Sequence, residues 1–164
     1  MTDRRTILLG SGATLAALGA GGWLVWTQIG SHAGDDFPVS MSRDEWRARL
    51  TEAQFRVLRL GKTERPFSSP LVEETRAGTY SCAGCGQAVY ASGTKFYSDS
   101  GWPSFTSAID GNTATRPDPS LGGMLTEVHC ANCGGHLGHI FDDGPEPTGK
   151  RHCINGVALD FSVA

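Results

Sequence analysis

The sequence predicts a mainly β domain of antiparallel strands that is preceded by short helices. Downstream of Gly78, short runs rich in β-branched and aromatic residues alternate with turn-forming residues, which is typical of antiparallel strands. Four such runs cover residues 79–81, 88–90, 124–129 and 156–161. The 164 residues fit one compact domain with an N-terminal extension, and the net charge of −3 does not indicate a nucleic-acid partner.

The first 33 residues differ in composition from the rest and predict a targeting segment. Arg4 and Arg5 precede a stretch, residues 6–34, that has no charged side chain and is rich in alanine, glycine, leucine and threonine. This pattern resembles a twin-arginine export signal, so residues 1–33 are expected to be a signal peptide or an uncleaved membrane anchor. Residues 34–41 would form a linker. A domain over residues 42–164 would then work outside the cytoplasm, in the periplasm or an equivalent compartment.

Two capping boxes predict two consecutive helices at the start of the domain. Ser42 is followed three residues later by Glu45, and Thr51 is followed in the same way by Gln54. Apolar side chains at helical spacing would face the core, and a glycine is placed to end the second helix. These residues are Trp46, Leu50, Phe55, Val57, Leu58 and Gly61.

Two Cys-x-x-Cys motifs predict a structural zinc site. Four thiolates from two such turns form a closed tetrahedral site, which would fasten two distant hairpins together. Disulfides or a redox pair are the alternatives, and a nearby histidine, His129 or His136, could replace one thiolate. The thiolates could also hold iron instead of zinc. The four predicted ligands are Cys82, Cys85, Cys130 and Cys133.

The fifth cysteine, Cys153, is left over by the two motifs and is the candidate nucleophile. In an extended segment Arg151, Cys153 and Asn155 share one face, and His152 and Ile154 share the other. A guanidinium beside a thiol favours the nucleophilic thiolate, and the amide of Asn155 offers two donors to a substrate oxygen. The alternative is a buried free cysteine that only fills space in the core.

Three further motifs make the resemblance specific. They are Gly-Trp-Pro-Ser-Phe at 101–105, His-Leu-Gly-His-Ile-Phe-Asp-Asp-Gly-Pro at 136–145 and Arg-His-Cys-Ile-Asn at 151–155. Together with the two cysteine motifs in this order, they resemble methionine sulfoxide reductase B over roughly residues 43–161. The resemblance implies two antiparallel sheets that meet around a pocket, with zinc at one end and short helices leading in.

The resemblance also implies an activity, the reduction of methionine (R)-S-oxide in oxidised proteins. Cys153 would attack the sulfoxide sulfur and become a sulfenic acid. His136 and His139 are the candidate proton donors to the sulfoxide oxygen, and Asn155 would assist by hydrogen bonding.

The remaining roles concern the substrate methyl group and the thiolate. Trp102 and Phe141 would hold the methyl group in an aromatic pocket. Arg151 would favour the thiolate of the catalytic cysteine, oriented by Asp142 or Asp143.

The chain departs from the family pattern at two positions. Ser100 lies where many members carry a second, resolving cysteine, so an external thiol such as a thioredoxin-like protein is expected to reduce the sulfenic acid. His152 lies where members usually have an aromatic ring, and it is expected to pack away from Cys153. The protein is expected to be a monomer.

Two rival functions use the same features differently. A non-enzymatic zinc-bearing β domain could bind a ligand or peptide against Trp102 and Phe141, and it would keep this function after Cys153→Ala. A thiol peroxidase would also need an activated cysteine, but it would consume hydrogen peroxide and have no need of an aromatic methyl pocket.

Overall fold

The computed structural model of the chain describes residues 37–119 and 125–164. Two helices open the domain, α1 over Arg43–Arg49 and α2 over Glu52–Leu60. Both predicted capping boxes are present, with the Ser42 and Thr51 hydroxyls accepting from the backbone N–H three residues later. Gly61 ends α2 in the left-handed conformation. The sequence therefore predicted both helices at their observed positions.

Within residues 37–119 and 125–164, nine strands form two antiparallel sheets, which confirms the predicted fold class. The smaller sheet has the order β2-β1-β9 and the larger one β3-β4-β8-β7-β6-β5. In chain order the strands are β1 Gly78–Cys82, β2 Ala88–Ala91, β3 Lys95–Phe96, β4 Ser104–Phe105, β5 Thr113–Asp118, β6 Leu125–Cys130, β7 His136–Phe141, β8 Arg151–Ile154 and β9 Leu159–Val163.

Aromatic side chains from both sheets meet in the core. Tyr90 of the smaller sheet stacks on Phe105 of the larger sheet at 4.3 Å between ring centroids. Tyr80 meets the same ring edge-on at 5.0 Å, and all three rings are fully buried. Such pairs contribute about 0.5–1.5 kcal/mol each beyond the area they bury. They join the sheet of the first cysteine motif to the sheet that carries Cys153.

The helices pack against the hairpin turns that carry the cysteine motifs. Phe55 and Leu58 of α2 are buried in the main core. Arg49 donates from Nε to the Gly84 carbonyl at 3.0 Å, and Arg59 donates to the Cys133 carbonyl at 2.8 Å. The helices therefore hold both turns.

The residues immediately before α1 also contact the domain. Val39 donates its backbone N–H to the Asn132 carbonyl at 2.8 Å, and the Phe37 ring meets the His129 ring edge-on at 5.8 Å. The described part of the predicted linker, residues 37–41, thus lies against the second cysteine turn. The predicted signal, residues 1–33, lies outside the described residues. In the described part of the chain, no helix has the length and apolar character needed to cross a membrane.

One irregularity in the larger sheet matters for the site. Val128 of β6 pairs with Gly138 of β7, and the next residue, His129, pairs with His136. Leu137 is therefore an extra residue on β7, which makes a β-bulge. The bulge lies between two histidines that the sequence predicts to be functional.

Candidate active site and metal centre

The four cysteines of the two motifs form one compact cluster. Their sulfur atoms all lie within 4.8 Å of one another, with 3.7 Å between Cys82 and Cys133 and 3.6 Å between Cys85 and Cys130. A disulfide bond is about 2.05 Å long, so these sulfurs are not paired as disulfides. Three of the four side chains are buried. This donor set fits a tetrahedral metal ion of the zinc type, with no open position for a substrate.

Polar groups around the cluster complete its environment. Arg59 donates to the Cys133 sulfur at 3.1 Å, and Asn132 donates to the Cys85 sulfur at 3.5 Å. The Arg59 guanidinium also lies 3.6 Å from the Trp46 ring centroid, a cation–π contact. Partners of this kind orient metal ligands and offset their negative charge. Neither of the two histidines that could have replaced a thiolate joins the cluster.

Cys153 lies in the middle of a row of side chains that crosses the larger sheet. Directly opposite residues share one face, and Cys153 pairs with Ser104 of β4 on one side and His139 of β7 on the other. The row continues from His139 to Glu127 of β6 and Arg116 of β5. The fold therefore places a hydroxyl, a thiol, an imidazole, a carboxylate and a guanidinium in adjacent strands.

The thiol of Cys153 is half-buried and has one hydroxyl close by. Its sulfur lies 3.9 Å from the Ser100 hydroxyl, which is linked through Ser98 to Ser104 at 2.8 and 2.6 Å. Burial raises the pKa of the Cys153 thiol, while the Ser100 hydrogen bond and the Arg151 charge act in the opposite direction. Burial outweighs both of these effects, so the pKa of the Cys153 thiol lies above its ordinary value in the free protein.

Asp143, one of the two carboxylates considered for orienting Arg151, makes the contact. It accepts from Nε and from the terminal nitrogen of Arg151, both at 2.8 Å. This fork raises the pKa of Arg151 and lowers that of Asp143. Asp142 instead pairs with Lys150. The guanidinium lies 4.4 Å from the Phe141 ring centroid, so Arg151 also fixes a predicted substrate-binding ring.

His136 and His139 lie side by side, with 5.3 Å between ring centroids. The Nδ1 atom of His136 is hydrogen-bonded to a Glu127 carboxylate oxygen at 2.9 Å. The Nε2 atom of His139 is hydrogen-bonded to an Asp118 carboxylate oxygen at 2.7 Å. Burial alone would raise the pKa of Glu127, but hydrogen bonds from His136 and Arg116 lower it to about 2. The Nε2 atom of His136 is buried and has no hydrogen-bond partner among the residues that the structure describes. A buried ring nitrogen in this state is ready to bind a ligand atom.

Glu64 connects Trp102 to Asn155. The Trp102 indole donates to the Glu64 carbonyl at 3.3 Å, and the Glu64 backbone N–H donates to Asn155 Oδ1 at 2.9 Å. The Glu64 carboxylate accepts the backbone N–H groups of Gly156 and Val157. Burial raises the pKa of this carboxylate, and the two N–H groups lower it in part. One residue outside the predicted site therefore holds two predicted site residues.

Comparison with known proteins agrees with this geometry. The family model described as the SelR domain matches residues 50–163, well over half of the chain. The chain belongs to the SelR family. It is 48% identical over 128 residues to a peptide methionine sulfoxide reductase MsrB of Leifsonia xyli subsp. xyli, covering 77% of this chain and 92% of the relative. It is 51% identical over 125 residues to the protein of that name from Bradyrhizobium diazoefficiens, covering 76% and 90%.

One solved structure shows a slighter likeness. The crystal structure of a Mis18 "Yippee-like" domain is 15% identical, with a TM-score of 0.45, and covers 54% of this chain and 98% of that one. That similarity is too low to bear on function. Membership of the SelR family confirms the predicted resemblance to methionine sulfoxide reductase B.

In this SelR protein the predicted site residues lie in two groups. The cysteine cluster lies where β1 and β6 end, and the other predicted residues lie on β7 and β8 or in the segments next to β4 and β8. His152 lies on the opposite face of β8, where its Nδ1 is 3.1 Å from the Tyr90 hydroxyl, as expected of a packing residue. Asn155 is buried, and its amide donates to the Leu137 carbonyl at 3.0 Å. One of the donors expected for substrate is thus used inside the protein.

Sequence reasoning missed Glu64, Asp118 and Glu127. Glu127 could have been noticed, because a carboxylate in an apolar alternating strand needs a buried partner. No local pattern marks Glu64 or Asp118, since their partners lie on other strands and loops.

Proposed function

We propose that this protein reduces methionine (R)-S-oxide in oxidised proteins to methionine and so repairs them. The chain is an oxidoreductase of the methionine sulfoxide reductase B type. The observation that supports the mechanism best is the half-buried Cys153 thiol, which lies between the Ser100 hydroxyl and a pair of carboxylate-bound histidines.

In the first step the Cys153 sulfur attacks the sulfoxide sulfur. A sulfur–sulfur bond forms while the sulfur–oxygen bond of the substrate breaks, and the protonated oxygen leaves as water. A water molecule then attacks the Cys153 sulfur and breaks the sulfur–sulfur bond, which releases methionine and leaves a sulfenic acid on Cys153. The sulfoxide itself is the oxidant, so no other is needed. The buried free thiol has a raised pKa, and Arg151 and Ser100 are placed to favour the thiolate when substrate arrives.

The histidine pair supplies the proton that the sulfoxide oxygen needs in order to leave: a doubly protonated ring donates it and becomes neutral. Each ring has one nitrogen bound to a carboxylate, so the other nitrogen is the one that can face the substrate. The unpartnered Nε2 of His136 offers such a position, next to His139. Protonation of the oxygen makes the sulfoxide sulfur more electrophilic and assists the attack.

Two aromatic rings would hold the methyl group of the substrate. Trp102 is fixed by its indole hydrogen bond to Glu64, and Phe141 is fixed under the Arg151 guanidinium. Preformed rings of this kind favour a thioether or methyl group and cost little ordering on binding.

An external thiol is needed to restore Cys153. The other four cysteines are in the metal cluster, and position 100 is a serine. A first reductant thiol displaces water from the sulfenic acid and forms a mixed disulfide, and a second thiol releases Cys153. A thioredoxin-like dithiol protein fits this requirement.

The cysteine cluster would hold zinc in a structural role. Bound zinc would supply folding energy by joining the β1 turn to the β6 turn. In the same proposal, the protein is a monomer that is exported by a twin-arginine signal over residues 1–33 and acts in the periplasm, either released or anchored. The export signal and the location are supported by the sequence pattern of residues 1–33.

The function is tested with a peptide that carries either the R or the S sulfoxide, using dithiothreitol as reductant. Turnover of the R epimer alone, lost in Cys153→Ser, is the expected result. Turnover of neither epimer by a folded, metal-loaded protein would favour the ligand-binding module. Faster consumption of hydrogen peroxide than of either sulfoxide would favour a thiol peroxidase.

A further inference from the structure

The β-bulge at Leu137 decides which way His136 points. In a regular strand, residues three apart lie on opposite faces, so His136 and His139 would be separated by the sheet. Val128 pairs with Gly138 and His129 pairs with His136, so one extra residue lies on β7 between these two pairs. It shifts the alternation of side chains between the two faces by one position. As a result, the two imidazole rings lie 5.3 Å apart. The pair exists because of the bulge.

The register of β7 and β8, with Gly138 opposite Ile154, places the bulged residue Leu137 opposite Asn155. In this protein the Leu137 carbonyl accepts both the backbone N–H of Asn155 at 2.8 Å and its side-chain amide at 3.0 Å. The other end of the Asn155 amide accepts the Glu64 N–H at 2.9 Å. Asn155 is only 3% exposed. Its Oδ1 atom and one of its two amide hydrogens are therefore used inside the protein, and the amide contact is with the bulged residue itself.

Glu127 holds the ring that the bulge presents. Arg116 donates to both oxygens of this carboxylate, at 2.6 and 2.9 Å, and the residue is 8% exposed. An ionised carboxylate only accepts hydrogen bonds, so the Nδ1 atom of His136 must donate to it. In the neutral ring the proton is therefore on Nδ1. The Nε2 atom then carries no proton and is not used by Glu127.

We propose that Asn155 and Glu127 are positioning residues that act together on His136. Asn155 keeps the bulge at Leu137, which turns the ring toward His139, and Glu127 fixes the tautomer, which leaves Nε2 unpartnered. Asn155 thus works through His136 and does not bind the sulfoxide oxygen itself. The catalytic consequence rests on the proposed function, whereas the geometric part does not.

The geometric part is tested in the substrate-free full chain by the ¹⁵N chemical shifts of the histidine rings. The wild type is expected to show His136 with its proton on Nδ1. Glu127→Gln, whose amide can donate as well as accept, should give a mixture of tautomers, and Asn155→Ala should shift the His136 ring signals. Asn112→Ala is the matched control, because its amide also donates to a backbone carbonyl, that of Ala88 at 2.8 Å.

Unchanged His136 signals in Asn155→Ala would overturn the proposal, as would an equal change in Asn112→Ala. If Asn155→Ala fails to fold, Asn155→Asp takes its place. An aspartate can still accept from the Glu64 N–H but cannot donate to the Leu137 carbonyl, so it is expected to give the same shift.

The catalytic part is tested by a double-mutant cycle on the rate of methionine formation. Each of Asn155→Ala and Glu127→Gln should lower kcat by about 10- to 100-fold with a smaller change in KM, since both displace one ring. The double variant should be about as slow as the slower single variant, because residues that act through one group are not additive. Multiplicative losses would instead show that Asn155 acts independently, and would overturn the proposal. Absence of turnover in the wild type would defeat the proposed function, while the ring spectra would still decide the geometry.

Discussion

Two regions of the domain each place a cysteine beside an arginine that covers an aromatic ring: the metal end, which is the four-cysteine cluster, and the catalytic end, which is the candidate site around Cys153. At the metal end, Arg59 lies over Trp46 and donates to the Cys133 sulfur at 3.1 Å. At the catalytic end, Arg151 lies over Phe141 but directs its fork of donors to Asp143. Cys133 is 2% exposed and has three thiol neighbours, whereas Cys153 is half-buried with hydroxyl and imidazole neighbours.

The difference shows that an arginine beside a cysteine does not by itself define a reactive thiol. Where the guanidinium binds the sulfur directly and other thiols surround it, the charge supports a metal cluster. Where Asp143 accepts both hydrogen bonds of the Arg151 guanidinium, the positive charge acts more weakly on the Cys153 thiol. Burial then keeps the pKa of that thiol raised. The neighbours of the pair determine what the thiol does.

The largest expected effect comes from breaking the metal end. Cys133→Ser should lose the metal and the cooperative fold, since structural zinc contributes about 10–16 kcal/mol in small zinc domains. Metal content and thermal unfolding measure this effect. Cys153→Ser is the matched control and should keep both the metal and the melting transition. A Cys133→Ser protein that melts like the wild type would contradict a structural role.

A second experiment gives Cys153 a thiol neighbour in place of the Ser100 hydroxyl. The Ser100 hydroxyl is 3.9 Å from the Cys153 sulfur, so in Ser100→Cys most molecules should form an intrachain disulfide after one sulfoxide turnover. The wild type should instead hold a sulfenic acid that dimedone traps. Mass spectrometry separates the two products. Ser98→Cys is the control, because Ser98 contacts Ser100 and not Cys153, and it should form far less intrachain disulfide. An intrachain disulfide to Cys153 in the wild type would contradict the proposal that an external thiol reduces the sulfenic acid.

A smaller effect is expected from removing the arginine at the metal end. Arg59→Met keeps an apolar side chain over Trp46 but loses the donor to Cys133, and zinc release to a chelator should become about 10- to 100-fold faster. Arg56→Met, an exposed substitution on the same helix, should leave the release rate unchanged. Equal release rates in both variants would show that the Arg59 contact does not support the cluster.

The smallest effect is expected from the corresponding change at the catalytic end. Arg151→Met removes a charge that lowers the pKa of Cys153, so the pKa should rise further above its ordinary value. Since alkylation requires the thiolate, the iodoacetamide rate profile should move to higher pH, with about two- to fivefold slower reaction at pH 8. Lys150→Met is the control, because this neighbouring cation is exposed and pairs with Asp142. A profile unchanged from the wild type would mean that the charge of Arg151 does not reach Cys153.

Features that depend on neighbours along the chain were predictable from the sequence. The two capping boxes predicted α1 and α2, and strand alternation predicted that Cys153 and His152 face opposite ways. Motif spacing predicted the four-cysteine cluster. In each case the deciding contacts lie within a few residues, or within a pattern that one metal ion imposes.

Features that depend on the pairing of distant segments were not predictable. The two-residue strands Lys95–Phe96 and Ser104–Phe105 have too little periodicity to recognise, yet Ser104 lies beside Cys153. Glu64 holds Asn155 across 91 positions of chain, and no local pattern marks that contact. The bulge at Leu137 is visible only when β6 lies beside β7. Tertiary pairing, not local propensity, decides all three.

The bulge at Leu137 means that the spacing of the two histidines in the sequence does not by itself show which faces of the sheet they occupy. In a regular strand a spacing of three residues places side chains on opposite faces, and the extra residue brings His136 and His139 together. A relative that lacked this leucine would have its histidines two residues apart, and they would share one face of a regular strand without any bulge. A relative that kept the three-residue spacing but paired without the bulge would carry every recognisable motif with its histidines on opposite faces.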